Sequence, residues 1–314
     1  MTVKMIDARE RYDAECQEKN MSSAQKETEQ IFGFDDVEYA DDSNFIQMSL
    51  PCLRILIKYY VLEGRFYGLE ANEDKTALVV IRPVPGIVAR IRHPDGWFFA
   101  VKDETKTLGL TYGRGSDTAK ALVTERIGQM FGLMDQHKRV WTSPITLKKK
   151  WLYMNGALWS RGRWSLHLLH LKKAFRDSLD GAQASKLRRL PKIPHPYISR
   201  VSNSTTRRRC KATRFSIQIL RSQLRWLGHI LRREPTDPLR LVVFEPNTAL
   251  LPRLTGTGRK RVVGRPRIDW AQTLIEIFCD FVRCSRDDLL SRVTDKPSYH
   301  FTVERLCSQT ALIS

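Results

Sequence analysis

A chain of 314 residues is long enough for about two domains and for a sizeable buried core. Its apolar share of 42% excludes wholesale disorder, and no apolar run reaches the roughly 18 residues that would suggest a membrane span. The formal charge of +19 is concentrated: residues 137–233 carry 24 Lys or Arg against Asp177 and Asp180 alone, leaving the rest near neutral.

A field of that sign attracts a polyanion, and nucleic acid is the commonest large one. RNA and/or DNA is therefore the expected partner, with no membrane. Six cysteines, at positions 16, 52, 210, 279, 284 and 307, show no paired spacing, so neither a disulfide framework nor a zinc site is expected. The opening MTVKMIDARERYDAE lacks the apolar block of a signal peptide.

Residues 1–30 are polar and charged and read as an extension, either a loose helix or unattached. From Ile31 the texture changes. IFGFDDVEYADDSNFIQM holds two short apolar segments around paired acids, the pattern of a β-hairpin with Ala40, Asp41 and Asp42 at its turn. SLPCLRILIKYYVLEGRFYGL predicts a helix with Leu53, Leu56, Ile57, Tyr60, Val61 and Gly64 along one face, interrupted at Gly68. Asn72 and Asp74 suit a turn before a strand at 77–81, and GWFFAV and KTLGLTY supply further β segments. Residues 31–112 thus read as a small α+β unit without a Gly-rich phosphate loop.

After residue 116 the period becomes helical. SDTAKALVTERIGQMFGLMDQHKRVW offers Leu122, Ile127, Phe131 and Met134 as a face, with Ser116 and Asp117 at its start. A second helical stretch restarts after Pro144, burying Leu147, Trp151, Tyr153, Met154 and Leu158 and leaving Lys148, Lys149 and Lys150 wet. Residues 116–190 form a helical region. Three prolines and a Ser/Thr cluster mark 191–213 as a linker. Residues 214–314 form a basic helical C-terminal region. Within it RFSIQILRSQLRWLGHILRRE lines up Ile217, Leu220, Leu224, Leu227 and Leu231 as a basic amphipathic helix.

Asp41 and Asp42 are the candidates for chemistry. Nucleotide polymerisation uses two divalent ions about 3.5 to 4 Å apart, and carboxylates supply the hard oxygens that Mg²⁺ prefers. By itself an adjacent acidic pair is weak evidence for metal and more often marks a surface turn, as the nearby Asp35 and Asp36 illustrate.

VEYADD, GLEANEDKT and KTLGLTY, in this order, resemble the distal palm of non-LTR retrotransposon (LINE-like) reverse transcriptases. Tyr39, Ala40, Asp41 and Asp42 match the family's YADD box residue for residue. Asn72, Lys75 and Thr76 resemble its N-x-x-K-T turn, and Leu108 and Gly109 its Y-L-G element, with Thr107 in the tyrosine place. The helices of 116–164, ending ALWSRGRW, resemble the thumb-side segment that ends LLYG-x-E-x-W, with Ser160 in the glycine place and Gly162 in the glutamate place. QLRWLGHILRR and GRPRIDW are similar to the distal tail of such elements through Leu224, Arg225, Trp226, Gly228, His229, Arg232, Gly264, Arg265, Pro266, Arg267 and Trp270. The likeness spans 31–283.

The resemblance implies an α+β chain: a partial polymerase palm with a YADD hairpin, then a mostly helical thumb-like region and a basic C-terminal region. It implies RNA-directed DNA polymerase ancestry, with Asp41 and Asp42 as catalytic ligands of Mg²⁺ or Mn²⁺ in a completed site. The family also draws an aspartate from an earlier palm strand, together with fingers and a Gly-rich box. The 38 residues before Tyr39 offer no copy of these. The expectation is a truncated or degenerate relative, inactive alone, whose missing palm and fingers would have to come from elsewhere. The alternative is a non-catalytic RNA- or DNA-binding protein built from the same fragment.

Residues expected to meet nucleic acid are Tyr39, Lys75, Lys148, Lys149, Arg221, Arg225, Arg232, Arg265 and Arg267. The cations would track phosphates without reading bases; a solvated helix surface or intramolecular pairing are the other readings of the arginines. The basic run at 259–267 also suits a nuclear-import signal, which puts the nucleus ahead of the cytoplasm. Trp141, Trp151, Trp159 and Trp164 sit at helical spacing and are expected in the core rather than stacked on bases. His167, His170, His195 and His229 make no zinc signature with cysteine.

Overall fold

The structure is a computed structural model that describes residues 14, 15, 17, 36–39, 42–46, 49–66, 68, 70, 72, 74–80, 91–93, 96–107, 110–113, 118–244 and 270–313. These make a mixed α+β chain, mostly helical, with small two-stranded sheets. They divide into two compact units. The first takes the described residues up to 113 and 236–242; the second takes 118–235, 243, 244 and 270–313.

In the first unit β1 (Asp36–Tyr39) and β2 (Asp42–Phe45) pair antiparallel, with Asp36 opposite Phe45 and Tyr39 opposite Asp42. Asp42 therefore opens the second strand instead of belonging to the turn. Helix α1 (Leu50–Phe66) follows and buries Cys52, Leu53, Ile55, Leu56, Ile57 and Val61. That is wider than a single apolar stripe because the helix packs on two sides. Cys52, Ile55 and Leu56 meet Phe45 and Tyr59, while Leu53, Ile57 and Val61 meet Leu78, Ile91 and Phe99. Gly68 closes the helix in the left-handed region at φ +72°, its N–H donating to Arg65 O at 2.9 Å, a conformation that a Cβ would strain. Glu15 from the charged N-terminal stretch is tied to α1, accepting from Lys58 Nζ at 3.0 Å and Tyr59 Oη at 2.7 Å.

The remaining strands are short. β3 (Ala77–Val79) runs parallel to β4 (Ala100–Lys102), and β5 (Glu104–Thr107) pairs antiparallel with β6 (Leu110–Gly113). Ahead of β4, His93 N–H donates to Trp97 O at 2.8 Å around Gly96, whose φ of +99° favours glycine. The His93 and Trp97 rings stack at 4.3 Å.

The second unit opens with α2 (Thr118–Gln136), α3 (Lys138–Thr142) and α4 (Leu147–Tyr153). A π-helical turn, Met154–Trp159, joins α4 to α5 (Ser160–Arg163). Then come α6 (Lys173–Leu187), α7 (Pro196–Ser199), α8 (Asn203–Arg209) and α9 (Phe215–Leu231). After α10 (Pro238–Val243), whose residues up to 242 group with the first unit, the chain ends in α11 (Trp270–Val282), α12 (Arg286–Thr294) and α13 (Lys296–Ile313).

Helix α9 is the hub of this unit, packed against α6, α11, α12 and α13. Between Phe215 and Leu231 only Arg225 is exposed, so the helix is buried on nearly every side and is not the surface amphipathic helix that its arginines suggest. Burying side chains such as Leu224 and Leu227 stabilises the unit by about 1.5 to 3 kcal/mol each. The first N–H groups of α9 are satisfied from α6: Asp180 accepts from Ser216 N at 2.8 Å and Ser216 Oγ at 2.7 Å, and Gln183 Oε1 accepts from Phe215 N at 3.0 Å.

Three expectations are corrected here. The buried side of α2 carries Leu122, Val123, Arg126, Met130, Leu133 and Met134, leaving Phe131 exposed under the Lys186 ammonium, 3.3 Å from the ring centre. On α4, Lys150 is buried rather than wet, because its Nζ donates to Trp141 O at 2.7 Å and closes the end of α3; Leu147 and Tyr153 are exposed instead. The 191–213 stretch is no linker. It forms two short helices, of which α8 holds the buried Thr206 and Arg207 and packs on α6. Arg188, itself buried, donates to Pro194 O at 3.1 Å, Ser199 Oγ at 3.3 Å, Asn203 Oδ1 at 3.1 Å and Val201 O, so one guanidinium ties together the part of the segment from Pro194 to Asn203.

Candidate nucleic-acid interface

Tyr39 and Asp42 face each other across the first hairpin and are described by their backbone alone, while Ala40 and Asp41 lie outside the described residues. Among the described residues no group of three or more His, Cys, Asp or Glu could hold a metal ion, and the side chains of Asp41 and Asp42 are not among those.

The turn before β3 has a clear physical basis. Asn72 Oδ1 accepts from Lys75 N at 3.1 Å, and Asn72 O accepts from Thr76 N at 2.9 Å and from Thr76 Oγ1 at 2.7 Å. Asn72 and Thr76 thus close the turn between them, which leaves the Lys75 side chain exposed just before the strand. Leu108 and Gly109 lie outside the described residues, but Thr107 pairs with Leu110 on either side of them.

Of the basic residues, Lys148 and Lys149 stand exposed on the first turn of α4, where Thr146 Oγ1 accepts from Lys149 N at 3.4 Å. The arginines of α9 are engaged within the protein. Arg225 Nη2 donates to Glu304 Oε1 at 2.7 Å, and Arg221 Nε lies 3.2 Å from Glu304 Oε2 as an ion pair without hydrogen-bond alignment. Arg163 donates to Gln218 Oε1 at 2.9 Å, and burial together with the charge of Arg221 holds its pKa below the ordinary guanidinium value. Arg232 donates to Val293 O at 3.3 Å with its guanidinium 6.0 Å from the Tyr299 ring centre. Glu304 was not singled out by the sequence, since nothing local marks a carboxylate 79 residues beyond its partner. Arg265 and Arg267 lie outside the described residues.

Gly264 and Pro266 also lie outside the described residues, whereas Leu224, Trp226, Gly228, His229 and Trp270 take part in packing. Gly228 faces the ring of Tyr299: a Cβ built there would stand 2.9 Å from Tyr299 Cδ1 and Cζ, and closer still to Cε1. That ring is buried, stacks on Phe278 at 5.0 Å and donates its hydroxyl to Leu224 O at 2.7 Å. Trp226 stacks on His229 at 5.2 Å and meets His167 edge-on at 5.9 Å, while Trp270 Nε1 donates to His167 O at 3.1 Å. Burial lowers the His167 pKa, which favours the neutral ring in this aromatic group. Trp141 and Trp159 are in the core as expected, whereas Trp164 is 59% exposed.

No family model, curated protein or solved structure matches this chain.

Proposed function

We propose that the chain is a fragment of a retrotransposon-type reverse transcriptase that binds RNA or DNA and does not polymerise by itself. The observation that supports it most directly is the first hairpin, in which the Tyr and the second Asp of the YADD stretch pair across antiparallel strands. The Asn72 turn with its exposed Lys75, and the helical unit that follows, agree with the order of elements in such a polymerase.

Asp41 and Asp42 offer the hard oxygens that Mg²⁺ or Mn²⁺ takes, and they would hold the ion in a completed site. Two carboxylates from one hairpin are a partial ligand set, so the proposed activity of this chain is binding. The excess of positive charge over 137–233, with Lys148 and Lys149 exposed, supports contact with phosphates. Nuclear localisation follows from the basic run at 259–267 within the same proposal.

The test is primer extension on an RNA template with Mg²⁺ and with Mn²⁺, beside a salt titration of RNA and DNA binding. Binding that falls steeply with salt and no incorporation are expected. Incorporation lost in D42N would overturn the binding-only reading, and absence of any nucleic-acid binding would overturn the proposal as a whole.

A further inference from the structure

Helix α2 and the end of α5 enclose an open cleft of about 450 Å³, lined by Arg126, Gln129, Gly132, Gln136, Arg161 and Trp164, with Leu133 at its floor. Among the described residues the lining holds two guanidinium groups, two amides and one large exposed indole, with the Glu125 carboxylate behind Gln129, accepting from its Nε2 at 2.8 Å. Arg126 is only 4% exposed and fixes the geometry: its Nε donates to Trp164 O at 3.2 Å and its Nη1 to Gln129 Oε1 at 2.8 Å. The backbone of Trp164 is thereby held against α2 while most of its ring stays in water. Arg161, on the solvent side, is exposed.

Each class of lining group narrows the occupant. A plain anion would use the guanidinium groups and make no use of the exposed indole surface. An apolar ligand would meet cations and amides over most of the wall. A planar, polar ring carrying a phosphate uses all three, since bases of any sequence stack on aromatic faces, amides bond base edges and arginine takes phosphate. The volume falls in the range of small-molecule sites and is too confined for a duplex.

We propose that this cleft takes one unpaired base of a single-stranded nucleic acid, stacked on Trp164, with its edge toward Gln129 and Gln136 and the adjoining phosphate toward Arg161. The inference rests on the reading that the chain binds nucleic acid, and it deepens that reading by naming a single-strand subsite.

Gly132 supplies a clean probe. A Cβ built there meets nothing within 4 Å, so Gly132→Leu fills the cleft without displacing the core. Labelled oligouridine, oligothymidine and a duplex of equal length are titrated by fluorescence anisotropy into the full chain, into G132L, and into W164A and W164F. Melting curves check that the variants fold. G132L and W164A are expected to weaken both single strands by about tenfold or more, the contribution of one stacked base, while W164F and duplex binding stay within about twofold of the parent. Unchanged single-strand affinity in G132L and W164A, with nucleic acid still bound, overturns this inference alone. So does polyglutamate binding with the same sensitivity to both substitutions, because that would assign the cleft to an acidic chain. A parent that binds neither single strands nor duplex overturns the functional reading, and the subsite with it.

Discussion

Replacing Gly228 with Ala tests whether the seam between α9 and α13 is as tight as it looks. In an exposed helix the substitution stabilises by about 1 kcal/mol, through lost backbone freedom in the unfolded chain. Here the new methyl would stand 2.9 Å from two atoms of the Tyr299 ring, well inside the roughly 3.5 to 4.0 Å of ordinary carbon contact. The ring has little room to yield. It is 1% exposed, stacked on Phe278 and anchored through its hydroxyl to Leu224 O. Overpacking of this kind costs about 1 to 3 kcal/mol, and losing a buried hydroxyl's partner costs about as much again. Set against the helix gain, the net loss is about 3 kcal/mol, or about 6 to 12 °C in melting temperature for a body of this size. Chemical unfolding followed by far-UV circular dichroism reads it directly. Tyr299→Leu should remove the obstacle, so that Gly228→Ala becomes neutral or stabilising in that background. If Gly228→Ala alone is as stable as the parent, the close approach of the two helices is refuted.

Lys186 should make stability depend on pH in an unusual direction. Burial first, then the charge of Arg189, lowers its pKa to about 8 in the folded protein from 10.5. The unfolded chain therefore holds more protons between those values, and stability rises with pH across that window; the cost of burying the charge is complete below about pH 8. Lys186→Met removes the charge and also its contact with Phe131, so the variant should exceed the parent by about 1 to 2 kcal/mol at neutral pH, with the gap closing as pH rises through the window. Parallel stability profiles for the two proteins would count against this. Asp180→Ala takes away the acceptor at the start of α9 and should cost about 2 kcal/mol, measured by chemical unfolding, whereas a surface-like loss of a few tenths would argue against the cap. Glu304→Gln should release Arg221 and Arg225 while changing stability by less than about 1 kcal/mol, since the pair is partly exposed. If these arginines then reach phosphates, the salt dependence of RNA or DNA binding should steepen by about 0.9 for each phosphate newly neutralised.

What could be read from sequence was what depends on neighbours along the chain. The α1 stripe, Gly68 at its end and the Asn72 turn all follow from side chains a few residues apart, and each has its counterpart in the structure. What could not be read depends on distant partners. Hydropathy assigns Arg126 and Lys150 to water, yet both are buried, with carbonyls at Trp164 and Trp141 accepting their hydrogen bonds. The existence of α9 was legible, but its central position was not, because the surfaces that cover it come from α6 and from α11 to α13. The pairing of Arg221 and Arg225 with Glu304 escaped for the same reason. As for the candidate site, the sequence marks Tyr39, Asp41 and Asp42 through a pattern, and the backbone adds only the register of Tyr39 and Asp42.

The guanidinium of Arg188 bears on how the protein can be cut. Between Leu190 and Asn203 the chain offers trypsin Lys192 and Arg200, in a run whose prolines and serines invite dissection into halves. Both peptide bonds lie between Arg188 and the Asn203 that it clasps, so neither should enter a protease cleft until that clasp opens. Cleavage there would report rupture of the helical body, and a C-terminal piece begun after it would leave behind the α6 side chains on which the central helix depends for its first turn.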